Sequence, residues 1–225
     1  RKSEGFICSN KWRAYRQGAH KPHPKLVDRV DKSMPDSAKQ LRHPLWEILN
    51  VGEPIGNQGE GILKRFDPDL QSKLFLSGRR GARRVADARL AAVLKRRCDI
   101  DTLAVMTLLC REASESQDYE MALYWAGETY YMLLRLGVEL HRHGVCPLLV
   151  RFFRRHIFAK CTRPGWTFHN QDEDIGLCMG FLVVLEHELP AHRRSADSKA
   201  QLLTGRLGRF PCKAFQPIWR AELSA

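Results

Sequence analysis

The sequence predicts an all-α protein, in which a small N-terminal helix-turn-helix-like element precedes a larger helical bundle domain. Two observations predict this fold class. In several segments the apolar residues recur every three or four positions, which is the spacing of one face of an α-helix. Capping residues precede these segments and Gly or Pro follows them, so that each helix has a defined beginning and end. The chain of 225 residues is long enough to bury a core.

The N-terminal element is predicted from residues 8–33. Ser9 or Asn10 can cap a first helix, and Gly18 suits the position just past its end. After a loop that contains prolines, a second helix is expected from Pro24 to Ser33. The side chains expected to project outward from the first helix are Lys11, Arg13, Arg16 and Gln17. The segment therefore predicts a pair of short helices with a basic outer surface.

The run SNKWRAYRQG at 9–18, followed by a loop that ends in Pro and by a short helix, resembles the recognition-helix end of the phage-repressor (XRE-type) helix-turn-helix family. The match covers residues 8–33. In that family the recognition helix lies in the major groove of DNA, and its early polar residues contact base edges. The residues that the resemblance places nearest the bases are Ser9, Asn10 and Lys11. The residues that it places near phosphates are Arg13, Arg16 and Lys21, with Gln17 in the same surface. The alternative is a structural helix pair anchored by Trp12, with a solvated basic face.

A stretch rich in Gly and Pro separates the two parts of the chain. Before it, residues 37–49 predict one or two short helices, the second of which begins at Pro44. The run VGEPIGNQGEG from Val51 indicates a loop or hinge. It lacks the Gly-Lys-Ser/Thr ending of a nucleotide-binding loop, so a plain connector is the better interpretation. The expected organisation is a basic region at 1–50, a connector at 51–78 and a helical domain at 79–225.

Positive charge is concentrated in the first half of the chain. The formal net charge is +12, with eleven Lys or Arg against three Asp or Glu over residues 64–97, and three against eight over 98–146. An amphipathic helix is predicted over 77–99, and the arginines expected in its first turn are Arg79, Arg80, Arg83 and Arg84. Cations are unfavourable at that end of the helix dipole, and a bound phosphate would account for them. The alternative is a solvated basic face.

The middle of the chain predicts the helical core. Asp99 or Asp101 can cap a first helix. Ser114 and Gln117 have the spacing of a capping box, which predicts a second helix from about Gln117 to His143. Apolar side chains at helical spacing indicate that both helices are buried on one side.

Three further features complete the predicted core. Pro147 is expected to begin another helix within its first turn. The run RFFRRHIF from Arg151 resembles a strip that binds nucleic acid or a membrane surface, but its apolar neighbours favour aromatic residues that lie in the core. The nearly uncharged stretch 175–185 predicts the most buried helix.

The cysteines indicate reduced thiols. The chain has seven, an odd number, and no C-x-x-C pair, which suits buried thiols in the cytoplasm better than a disulfide framework. We recognise no secretory signal, and the longest apolar run is too short to cross a membrane. The best metal-binding candidate is the group His141, His143 and Cys146, with His156 and Cys161 further along the chain. Structural zinc sites use paired spacings that this group lacks, and we expect no cofactor.

We therefore expect a cytoplasmic nucleic-acid-binding protein of the bacterial or mobile-element regulator type, with DNA as its most favoured partner. Its helical domain would form a homodimer or bind a protein partner. No catalytic motif is recognised, and we expect no enzymatic activity. One alternative is a non-enzymatic interaction subunit of a larger complex, such as a ribonucleoprotein. Another is an enzyme that acts on nucleic acid through metal-bound acids such as Glu112, Glu115, Glu128 or Asp172.

Overall fold

The computed structural model describes residues 23–35, 37–76 and 81–169, together with 175–176, 180 and 219–221. In these residues the chain is mainly helical, which confirms the all-α prediction. The helices are α1 Pro24–Ser33, α2 Ser37–Leu41, α3 Pro44–Ile48, α4 Gly59–Leu63, α5 Pro68–Leu74, α6 Ala88–Arg97, α7 Ile100–Glu115, α8 Tyr119–Arg135, α9 Gly137–Arg142 and α10 Cys146–Phe152. The first helix of the predicted N-terminal pair and most of the helix expected over 175–185 lie outside the described residues.

Two histidines cap the helices at the start of the described chain. His23 Nδ1 accepts a hydrogen bond from Lys25 N at 3.2 Å, and His43 Nδ1 accepts one from Leu45 N at 3.0 Å. A proline follows each histidine at the first position of α1 and of α3, where its missing N–H has no partner to lose. The predictions of a helix over Pro24–Ser33 and of a helix begun by Pro44 are both confirmed.

The segment predicted as a connector, 51–78, contributes to the core in its described part. A 3₁₀ turn at Gly56–Gln58 leads into α4, and α5 follows after a short loop. Leu63, Leu70 and Leu74 are almost wholly buried within the same apolar cluster as α7 and α8. The physical reason is that Gly and Pro here mark turns between short helices, whose few apolar side chains still cover the core.

The centre of the fold is the helical hairpin of α7 and α8. Asp99 and Thr102 form a reciprocal capping box at the start of α7, so that Asp99 is the cap of the two candidates. The predicted box of Ser114 and Gln117 is wrong. Ser114 lies within α7, Gln117 reverses the chain at φ +61°, and Asp118 caps α8 by accepting a hydrogen bond from Met121 N at 3.1 Å. The carboxylate of Asp118, one residue after Gln117, accepts a hydrogen bond from a backbone N–H in the first turn of α8 instead.

The single helix predicted to reach His143 is divided in two. The helix α8 ends at Arg135, and α9 begins at Gly137, a residue of low helix propensity. Pro147 lies in the first turn of α10, as predicted. A π-helical turn at Phe153–Ile157 and a 3₁₀ turn at Phe158–Lys160 follow α10. Two short strands, β1 Trp166–Phe168 and β2 Trp219–Ala221, then pair antiparallel, with Thr167 opposite Arg220.

An aromatic cluster closes one end of the core. Phe158 is wholly buried, with its ring centroid 6.2 Å from that of Tyr130, 5.7 Å from that of Phe153 and 5.1 Å from that of Phe168. Most of these rings meet at tilted or edge-to-face angles, which are favourable for aromatic pairs. The prediction that the aromatic residues of RFFRRHIF lie in the core is confirmed for Phe153 and Phe158.

Candidate nucleic-acid interface

A short extended segment before α6 positions two of the predicted arginines. Leu76 N donates to Ala82 O and Arg84 N donates to Leu74 O, both at 2.8 Å, around an antiparallel bridge between Phe75 and Arg83. Because successive side chains of an extended chain point to opposite sides, Arg83 and Arg84 face different surroundings. Arg83 turns toward α7, and Arg84 is exposed.

Arg83 is neutralised by an acid of the central hairpin. Its Nη1 and Nη2 donate to Glu112 Oε1 and Oε2 at 2.8 and 2.6 Å, which is the bidentate geometry of a strong charge-assisted pair. The backbone of Gly59 packs against the same carboxylate, and a Cβ at that position would lie 2.1 Å from Glu112 Oε1. Arg83 therefore ties the extended segment to α7 and has little free charge to offer a ligand.

An open cavity of about 440 Å³ lies beside this segment. We call it the basic groove, and its charged residues are Lys73, Arg83, Arg84, Asp87 and Arg89, while its apolar residues are Leu76, Val85, Leu90 and Val93. The charged side chains are four cations and one acid. The apolar Val85 also lines the groove and is 78% exposed.

Two cations of the basic groove have no acidic partner among the described residues. Arg84 and Arg89 are both exposed and form no ion pair there. Asp87 caps α6, and its Oδ1 accepts hydrogen bonds from Arg89 N at 3.0 Å and Leu90 N at 2.9 Å. Lys73 Nζ lies 3.6 Å from Asp69 Oδ1 at the surface, a weak pair. The groove thus presents to solvent two guanidinium groups that form no ion pair with the described acids.

The helix predicted over 77–99 is shorter in the part of that range that the structure describes. Residues 82–86 are extended or irregular, and α6 begins at Ala88 after its cap Asp87. Arg83 and Arg84 consequently do not lie in a first helical turn, although Arg89 does. The apolar residues of this segment have helical spacing, but the segment pairs with the chain at Phe75 and does not form a helix there. Arg79 and Arg80 lie outside the described residues.

The N-terminal half of the predicted interface lies outside the residues that the structure describes. This applies to all seven residues that the helix-turn-helix resemblance singles out, which are Ser9, Asn10, Lys11, Arg13, Arg16, Gln17 and Lys21. The described part of that region is α1, whose Lys25, Arg29 and Lys32 are exposed. The role of the seven residues named above as DNA contacts stays a prediction.

A buried His–Asp pair resembles half of a catalytic triad. His43 Nε2 donates to Asp101 Oδ1 at 2.8 Å, and the histidine side chain is 7% exposed. A general base needs a free nitrogen lone pair within reach of a substrate. The other nitrogen, Nδ1, already accepts the hydrogen bond of Leu45 N, so the pair caps α3 and anchors it to α7. Its role is structural.

The acids considered for metal-assisted catalysis are ion-pair partners. Glu112 binds Arg83, Glu115 binds Arg111 at 2.9 Å, and Glu128 binds Lys95 at 2.9 Å. In the part of the chain that the structure describes, no three His, Cys, Asp or Glu side chains are grouped as metal ligands. His141 and His143 are exposed while Cys146 is buried, so this group does not converge. Asp172 lies outside the described residues.

Arg97 is surrounded by acids at the C-terminal end of α6. Its guanidinium pairs with Asp67 at 2.6 Å, with Asp101 at 2.9 Å and with Asp99. The hydrogen bond from Arg97, helped by one from Leu70 N, lowers the pKa of Asp67 to about 2 against the opposing effect of burial. The cluster joins α5, α6 and the start of α7.

We expect this cluster to make stability depend on acid pH. Because the folded pKa of Asp67 is below the unfolded value near 3.8, its contribution is present above about pH 4 and is lost as the pH falls through about 2. Asp67 is 37% exposed, and after discounting for solvent screening the contribution is about 1 kcal/mol. Asp67→Asn keeps a capping side chain for α5 but removes the charge. In urea titrations this variant should be less stable than the wild type at pH 7, and the difference should shrink as the pH falls toward 2. The same deficit at both values would contradict the assignment.

None of the family models, curated proteins or solved structures compared with the chain matches it. No helix of the described residues combines the length and the apolar character needed to cross a membrane.

Proposed function

We propose that the protein binds duplex DNA, with the basic groove contacting the phosphate backbone and the N-terminal basic segment reading the bases. The observation that carries the proposal is the pair Arg84 and Arg89, two exposed guanidinium groups on one cavity that no acid among the described residues neutralises. Guanidinium groups bind phosphate oxygens through paired hydrogen bonds, and they form such contacts in most DNA-binding surfaces.

The surroundings of the groove support a polyanionic partner. Lys73 lines the same cavity, and Arg79 and Arg80 lie four or five residues before Arg84 in the sequence. The net charge of +12 adds a long-range attraction that raises the rate of association with nucleic acid. Exposed Val85 and Val93 give the groove an apolar edge, against which the sugar of a nucleotide can pack. The phosphate and the sugar of a nucleotide suit this combination of charge and apolar surface.

In this proposal the protein is a regulator of bacterial or mobile-element type that acts in the cytoplasm. The four cysteines of the described residues, Cys98, Cys110, Cys146 and Cys161, are not in disulfides, which fits a reducing compartment. The base-reading role of Asn10 and Lys11 rests on the resemblance of 8–33 to the repressor recognition helix. The groove would then fix the orientation of the protein on the duplex.

The test is the salt dependence of DNA affinity for the double variant Arg84→Ala/Arg89→Ala. The slope of log K against log salt is negative, and each lost phosphate contact reduces its magnitude by about 1. We therefore expect the magnitude of the slope to be smaller by about 2 in the variant than in the wild type. Fluorescence anisotropy with a labelled random duplex, titrated at several salt concentrations, measures it.

The matched control is Arg142→Ala/Arg155→Ala. It removes the same charge from two exposed arginines that do not line the groove. This control should change the slope much less. Equal slopes for the wild type and the groove variant would remove the groove from the interface. Arg83→Ala should instead lower stability, because it leaves Glu112 unpaired.

A protein partner is the second candidate. The observation that favours it is an apolar cavity of about 340 Å³ between α3 and the α9–α10 region, lined by Leu45, Leu136, Leu140 and Leu149, with Trp46 48% exposed at its edge. Exposed aromatic side chains beside apolar pockets are typical of protein interfaces. The same titration separates the candidates, because an interaction subunit without a nucleic-acid role would show no anisotropy change even at the lowest salt.

A further inference from the structure

Two cysteine thiols face each other inside the core. Cys110 lies in α7 and Cys161 directly follows the 3₁₀ turn Phe158–Lys160, and their Sγ atoms are 3.1 Å apart. Both side chains are almost wholly buried. A disulfide has an S–S distance of about 2.05 Å, so an approach of about 1 Å converts this contact into a bond. Among the described cysteines, this is the pair already positioned for oxidation.

A cavity leads from the surface to one member of this pair. The space, about 270 Å³, has Cys161 in its wall, and its other lining includes Arg111, Glu115, His156 and Lys160. We call it the thiol cavity. Water occupies about 30 Å³ per molecule in the liquid, so the cavity has room for a small polar oxidant such as hydrogen peroxide. Cys110 does not line the cavity and contacts Cys161 inside the core.

The two thiols are chemically unequal. The hydrogen bond with Cys161, together with burial, raises the pKa of the Cys110 thiol well above its usual range. Cys110 therefore retains its proton while Cys161 meets the cavity. Lys160, Arg111 and His156 face this cavity together with the acids Glu53 and Glu115, and Glu115 is paired with Arg111. The arrangement assigns the first reaction to Cys161 and the second to Cys110.

We propose that Cys161 and Cys110 form an oxidisable dithiol, which hydrogen peroxide entering the thiol cavity converts into a disulfide. In the first step the Cys161 sulfur attacks one peroxide oxygen, the O–O bond breaks, and the leaving hydroxide takes the thiol proton to form water. In the second step the Cys110 sulfur attacks the resulting sulfenic acid at sulfur. The S–O bond breaks, and the hydroxide leaves as water with the Cys110 proton. Two thiols are oxidised, and one peroxide is reduced to two water molecules.

The bond would connect parts of the chain that are distant in sequence. It joins the middle of α7 to the residue after the 3₁₀ turn, 51 positions later. A cross-link between such distant positions restricts the unfolded chain and stabilises the folded one. Oxidation should consequently raise the midpoint of thermal unfolding, and dithiothreitol should reverse the increase.

The test treats the reduced full chain with hydrogen peroxide, blocks the remaining thiols with iodoacetamide and identifies tryptic peptides by mass spectrometry. We expect one cross-linked species that contains Cys110 and Cys161, together with the loss of two titratable thiols per chain. In Cys110→Ser the reaction should stop at a Cys161 sulfenic acid that dimedone labels. In Cys161→Ser, Cys110 should stay unmodified.

The control is Cys146→Ser, which removes a buried thiol outside the pair and should leave the cross-link unchanged. The wild-type experiment decides the matter even if a serine variant folds poorly, since the linked peptide is read in the native chain. If peroxide oxidises other cysteines without forming the Cys110–Cys161 peptide, the proposal is wrong. Labelling of Cys110 by dimedone in Cys161→Ser would overturn the order of the two steps.

Discussion

Arg111→Ala should lower the free energy of unfolding by about 3–5 kcal/mol, the cost typical of leaving a buried charge network without one member. Arg111 is 7% exposed and donates hydrogen bonds to Ile48 O at 2.6 Å, Asn50 O at 3.1 Å and Glu53 O at 2.6 Å. A fourth hydrogen bond joins it to Glu115 Oε1 at 2.9 Å. The substitution leaves three carbonyl groups and a carboxylate without their donor. Equilibrium urea unfolding at neutral pH measures the loss.

Two further variants make this test specific. Arg111→Lys keeps the charge but replaces the planar, five-donor guanidinium with a single ammonium group, so it should recover only part of the stability. Arg142→Ala, an exposed arginine on α9, should change stability by less than about 0.5 kcal/mol. A loss of less than about 1 kcal/mol in Arg111→Ala would show that the loop at 48–53 holds its conformation without this side chain.

Phe158→Ala should cost about 3–5 kcal/mol, because a wholly buried aromatic side chain leaves a cavity that its neighbours fill only in part. The lost contacts include the rings of Tyr130, Phe153 and Phe168. Guanidinium chloride unfolding, followed by far-UV circular dichroism, measures the change. The slope against denaturant concentration should stay unchanged if only stability is affected.

The control for this prediction is Phe152→Ala in the same run of sequence. Phe152 is only partly buried and packs against the exposed His156 with ring centroids 4.8 Å apart. Its loss should cost less than about 2 kcal/mol, since less apolar surface leaves water on folding. Equal costs at the two positions would contradict the distinction between buried and peripheral rings.

Local signals in the sequence predicted much of the helical framework. Pro24 and Pro44 each begin a helix and Pro147 lies in the first turn of another, as expected, since proline at the first turn depends only on neighbouring backbone. Asp99 caps α7 for the same reason. The wrong predictions concern choices between nearby signals. Asp118 caps α8 in preference to the Ser114–Gln117 box, and local spacing does not rank the two.

The candidate site was less predictable because its electrostatics depend on contacts between distant residues. The sequence predicts four arginines in the first turn of one helix. Arg83 instead pairs with Glu112, which lies 29 positions later in the chain, and Arg84 turns away from it. No periodicity in the sequence distinguishes these two neighbours. Only the bridge between Phe75 and Arg83 reveals which arginine is neutralised and which is exposed.

The sequence patterns do not single out Arg89 and Arg111. Arg89 follows the cap Asp87 in the run ADARL, and the signal that could have found it is the cap itself, which begins α6 at Ala88. Arg111 lies in a nearly continuous apolar helix. A lone arginine at such a position indicates a buried cation that must find several acceptors, and the nearby loop carbonyls supply them.

Three consecutive residues of α7 connect the features described above. Cys110 faces Cys161, Arg111 binds the loop at 48–53, and Glu112 holds Arg83 beside the basic groove. Successive side chains of an α-helix point about 100° apart, so the three contacts surround the helix axis. A small rotation of α7 would displace all three at once. Because one helix carries all three contacts, we expect a movement at the thiol pair to shift the contacts with the loop at 48–53 and with Arg83 as well.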